Sequence, residues 1–138
     1  MPDESKPNSA PRLPGYWNRL VHQAQEIVRT TIAELPADFR ELAEKVPVLY
    51  EPRPSAELIA DGLDEDTLGF FFGEPYLESA DTTGLDYPPE IVLYLDNLWD
   101  LAEGDEQVFA EEVRITILHE LGHYLGWDED EVEERGLE

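Results

Sequence analysis

At 138 residues the chain is long enough for one modest core, and its 41% apolar content is that of a globular protein. With 33 acidic against 9 basic residues the formal net charge is −24, which repels nucleic-acid phosphates and anionic lipid and attracts cations. No apolar run approaches the roughly 18 residues of a membrane span, and the absence of cysteine removes disulfides, thiolate metal sites and cysteine nucleophiles together.

The opening MPDESKPNSAPRLPG is rich in proline and serine and lacks the apolar stretch of a secretory signal. Residues 1–15 are therefore expected to be a disordered leader, residues 16–138 the domain, and the location cytoplasmic. From Tyr16 to Leu35, Trp17, Leu20, Val21, Ala24, Ile27, Val28, Ile32 and Leu35 recur at helical spacing with one wet face, and His22 falls off that stripe as a surface residue. Pro36 breaks the helix and ADFRELAEKV reads as a second, shorter one. VPVLYEP is a strand ended by prolines, and SAELIADG is a turn or two of helix capped by Ser55 and stopped by Gly62.

TLGFFFGEPY is a second strand, with Gly69 and Gly73 framing three phenylalanines that are expected in the core. A polar loop punctuated by glycine and proline follows over residues 74–89. EIVLYLDN alternates as a third strand, and Asn97 is expected to cap the helical LWDLAEG. The last long helix runs from about Glu106 to Trp127, with Val108, Phe109, Val113, Ile117, Leu121 and Leu125 as its buried stripe.

That helix carries HELGH, His119 to His123. Two histidines four residues apart lie about 40° apart around a helix and roughly 6 Å along it, so both imidazoles can converge on one zinc ion. Glu120 sits at the flank of the pair, where it can take a proton from a metal-activated water without ligating the metal. A helix with two otherwise satisfied histidines is the competing reading. HExxH arises by accident in on the order of one shuffled chain per hundred, but adding Gly126 and an acid three residues later makes it roughly one in several thousand.

A catalytic zinc usually has a third protein ligand. With residues 124–138 following, a glutamate on a further helix downstream is not expected, and ten residues after His119 stands not histidine but Glu129, in acid-rich sequence. Gly126 permits the left-handed turn that swings the chain back toward the metal. The candidates are then Asp128, Glu129 and Asp130, with Glu129 best matched to the turn and Asp128 one residue nearer. No arginine or further histidine in the motif offers an oxyanion stabiliser, which leaves Tyr124, Tyr76 or Tyr94.

The sequence resembles the small bacterial zincin-like metallopeptidases from about Tyr16 to Leu137, in LPADFRELAEKVPVLYEPRPS, LGFFFGEP, PPEIVLYLDNL and above all VRITILHELGHYLGWDEDEVEERGL. That ending is similar to the family's HExxHxxGxxD pattern, departing from it at Glu129, where aspartate is common. The resemblance implies His119 and His123 as zinc ligands, Glu120 as the base, and an α+β fold with a small mixed sheet packed on helices and a C-terminal active-site helix. It implies a zinc-dependent metallopeptidase acting on a peptide or protein, while the net charge and the lack of a long apolar run argue against a nucleic-acid or membrane partner; oligomeric state is left open. Two rivals differ in kind: a non-catalytic metal-binding or protein-interaction domain, and an acidic mimic of nucleic acid, which needs no zinc.

Overall fold

A computed structural model describes residues 15–73 and 88–126 of the chain. Helix α1, Tyr16–Ala33, turns Leu20, Ala24 and Val28 inward at four-residue spacing, with His22 on its exposed side. Pro36 is the N-cap of the short helix α2, Ala37–Ala43, which ends earlier than its apolar pattern suggested. Strand β1 is Val48–Glu51 and helix α3 is Ala56–Ala60. The Ser55 hydroxyl accepts from the Leu58 amide at 3.2 Å, and Gly62 stands just past the helix at φ 113°. Both ends of α3 are therefore those the sequence signalled.

Strands β2, Gly69–Phe72, and β3, Glu90–Tyr94, complete a three-stranded sheet of order β1-β3-β2. β1 pairs with β3 in parallel and β2 pairs with β3 antiparallel, so the sheet is mixed. β3 lies in the middle and is the most buried of the three, with Ile91 and Leu93 fully buried on the core side. Alternation sends neighbouring side chains to opposite faces, and this corrects the expectation for the phenylalanine run. Phe71 packs against the core, whereas Phe70 is 38% exposed on the other face, stacked edge-on with Phe72 at 4.7 Å.

Helix α4, Leu95–Leu101, begins directly after β3, with Tyr94 as its N-cap residue. Asn97 is thus inside the helix and is not its cap. Its buried amide donates instead to the carbonyls of Glu65 and Thr67, at 2.8 and 2.9 Å, and its oxygen accepts from Arg53 at 2.8 Å. Arg53 also pairs with Asp100 at 3.0 Å. One asparagine so ties the loop before β2 and the segment after β1 to α4. A buried amide with all these partners is a cross-link that the local sequence pattern does not announce.

Helix α5, Glu106–Tyr124, is the longest among the described residues. Asp105 caps it, accepting from the amides of Gln107 and Val108 at 2.9 and 3.1 Å, and Glu106 places an acid in the first turn. Phe109, Val113, Ile117 and Leu121 are buried as expected, but Val108 is 43% exposed. Val108 stands about 140° around the helix from Val113, on the solvent side of the stripe. The helix ends at Tyr124, short of the expected Trp127, with Leu125 as the C-cap and Gly126, the expected turning residue, at φ 83°. α5 lies against α1 on one side and against β2 and β3 on the other. The architecture is the α+β arrangement of a small mixed sheet on helices, with the motif helix packed under it.

Candidate metal centre

Near its C-terminal end α5 brings three of the sequence-derived site residues together. The donor atoms of His119, Glu120 and His123 lie within 4.8 Å of one another, with the histidines part-buried and the glutamate buried. The two imidazoles are edge-on, with ring centres 4.6 Å apart and planes at 86°. Their Nε2 atoms stand 3.1 Å apart.

That last distance tests whether a metal fits. Two nitrogens, each 2.0–2.1 Å from one zinc at a tetrahedral angle, stand roughly 3.3 Å apart. The observed separation differs by only a few tenths of an ångström. The donors are imidazole nitrogens with a carboxylate beside them, a set that suits zinc. His119 and His123 could therefore hold zinc.

Glu120 is 8% exposed. Burial pushes its carboxyl up to about 7, opposed by the Phe71 backbone amide, which donates to it and favours the charged form. Sheet geometry explains why this amide is available. Leu68 accepts from the Tyr94 amide at 2.9 Å, so Leu68, Phe70 and Phe72 face β3 with their backbone groups. Gly69 and Phe71 are then the non-hydrogen-bonded positions of the ladder, and their N–H and C=O point to the outer edge. Sequence reasoning missed this partner, because a main-chain amide leaves no trace in residue type.

Of the three tyrosines the sequence offered, Tyr94 and Tyr124 are described, and both are buried. Tyr94 is 1% exposed and alternates to the sheet face opposite Ile91 and Leu93. Tyr124 is buried in the core, its ring 5.7 Å from that of Phe71. Tyr76, the acidic candidates Asp128, Glu129 and Asp130, and residues 1–14 lie outside the described residues. Among the described residues no helix is long and apolar enough to cross a membrane.

Residues 43–137 match the profile of a protein family described as zincin-like metallopeptidase. The matched span covers all three strands and the whole of α5. No curated protein matches the chain.

Proposed function

The chain belongs to the zincin-like metallopeptidase family, and on that premise we propose that it is a zinc-dependent peptidase in which His119 and His123 hold the metal and Glu120 is the base. The observation that carries this reading is the 3.1 Å separation of the two Nε2 atoms, with a buried carboxylate one residue from the first of them. Zinc bound there supplies Lewis acidity, acidifying a water and polarising a peptide carbonyl. Glu120 takes the water's proton on a carboxylate oxygen and returns it to the departing amine nitrogen. In the metal-free protein its burial makes it a stronger base than an exposed carboxylate.

The substrate is an extended peptide or protein segment. The outer edge of β2 offers the backbone groups of Gly69 and the carbonyl of Phe71 for strand addition, beside the motif helix. We assign Glu129 as the third ligand, because the left-handed turn at Gly126 redirects the chain just after the second histidine. The glutamate arm has one more rotatable bond than aspartate, so affinity is expected to be lower than with aspartate at that position. A cytoplasmic location belongs to the same proposal and agrees with the cysteine-free sequence.

Protein purified without chelator should contain about one zinc per chain. Asp128→Asn, Glu129→Gln and Asp130→Asn, compared by zinc competition, should single out Glu129→Gln with a loss of roughly tenfold or more. Parent-like affinity in Glu129→Gln alongside a loss in Asp128→Asn would move the ligand by one residue.

A further inference from the structure

Gly69 stands at the start of β2 with an extended backbone that any residue adopts, so conformational freedom does not explain a glycine there. Space does. A Cβ at this position would lie 2.7 Å from Thr116 Cγ2, 3.2 Å from Leu93 Cδ2 and 3.3 Å from the Val92 carbonyl oxygen. Ordinary contact begins at 3.4 Å, so the strand or the threonine methyl would have to give by several tenths of an ångström.

Neither gives freely. Thr116 is 7% exposed, and its β-branched side chain has only two favoured χ1 settings on a helix. On the other side β2 is laddered to β3, whose Leu93 is fully buried. Thr116 precedes Glu120 by one helical turn and shares its face of α5. Phe71 follows Gly69 by two residues and presents its backbone to the same outer edge, where its amide meets the Glu120 carboxylate. The two contacts run in step along the strand and along the helix.

We propose that Gly69, seated on Thr116, is a positioning residue for Glu120: the missing side chain lets β2 lie close enough to α5 for the Phe71 amide to hold the carboxylate. The inference rests on the reading of Glu120 as the proton acceptor. A hydrogen bond lengthened by several tenths of an ångström no longer fixes the carboxylate's direction, and proton transfer depends on that direction. Neither histidine is among the three nearest atoms that a Cβ at Gly69 would meet, so zinc affinity is expected to stay near the parent's.

The test compares the parent, Gly69→Ala and Gly69→Ala/Thr116→Ser, the serine deleting only the methyl that the new Cβ meets. Three readouts are needed: kcat of the zinc-loaded proteins on a cleaved peptide, zinc affinity by chelator competition, and the Phe71 amide resonance of the metal-free proteins. In the parent background Glu120→Gln should displace the Phe71 resonance. In Gly69→Ala that response should collapse and kcat should fall by about tenfold or more, while zinc affinity stays within roughly threefold. The double variant should recover both the resonance response and kcat.

A Gly69→Ala protein with parental kcat and an intact Phe71 response would overturn the proposal, as would a folded double variant that recovers neither. If Gly69→Ala alone does not fold, the double variant decides in the same way. A Phe71 resonance indifferent to Glu120→Gln sinks the contact whatever the activity. A parent that cleaves nothing, yet shows the Phe71 response and its loss in Gly69→Ala, sinks the peptidase reading and leaves the positioning contact standing.

Discussion

Glu120→Gln is expected to keep zinc and lose turnover by about 100-fold or more, the scale on which a positioned acid–base group contributes. The substitution removes the proton acceptor and leaves His119 and His123 in place. Loss of less than about threefold would exclude the proton-accepting role. The same substitution should stabilise the metal-free protein at alkaline pH. The Glu120 carboxyl is raised from 4.5 to about 7 by burial, so the folded state holds its proton more tightly than the unfolded chain. The resulting stability is fully present below about pH 4.5 and is lost as pH rises through about 7. At pH 8 the charged carboxylate therefore costs on the order of 1–3 kcal/mol, which neutral glutamine avoids. Denaturant melts of the metal-free proteins should show Glu120→Gln ahead of the parent at pH 8, with the gap closing toward pH 4.5. The repulsion among the other acids is common to both proteins, so the difference isolates Glu120. A gap that does not depend on pH would contradict the burial account. Activity lost and stability gained by one change is the mark of a group kept for chemistry at the expense of the fold.

His119→Ala and His123→Ala should each weaken zinc binding by about 100-fold or more, since losing a ligand outweighs the 10–100-fold of an outer-shell change. Circular dichroism must first show that each variant folds. Full zinc occupancy in folded His119→Ala or His123→Ala would mean that the 3.1 Å nitrogen pair is a histidine–histidine hydrogen bond and no metal site.

The motif helix was legible because its signals are local: a four-residue apolar repeat, two histidines at one-turn spacing and a glycine at the end. Spacing alone brought the nitrogens of His119 and His123 within reach of one ion. Where the sequence misled, a longer-range partner had intervened. Asn97 has the chemistry of a cap, but its amide is drawn to the carbonyls of Glu65 and Thr67, and the helix starts at Leu95 instead. Three phenylalanines in a row look like core, yet a strand shows alternate residues to opposite faces, so Phe70 had to leave it. Gly69 was visible as a glycine in a strand, but its reason is Thr116 on another element. The burial of Glu120 and its Phe71 partner are products of strand-on-helix packing, which no single-segment pattern encodes.

The central claim is that this chain cleaves peptide bonds with a zinc held by the motif helix. Its most direct test is digestion of a randomised peptide library by zinc-loaded, chelator-stripped and zinc-reloaded protein, followed by mass spectrometry. New amino termini should accumulate with the loaded protein, stop on stripping and return on reloading. No cleavage at full zinc occupancy, or cleavage that persists undiminished in the stripped protein, would contradict the account.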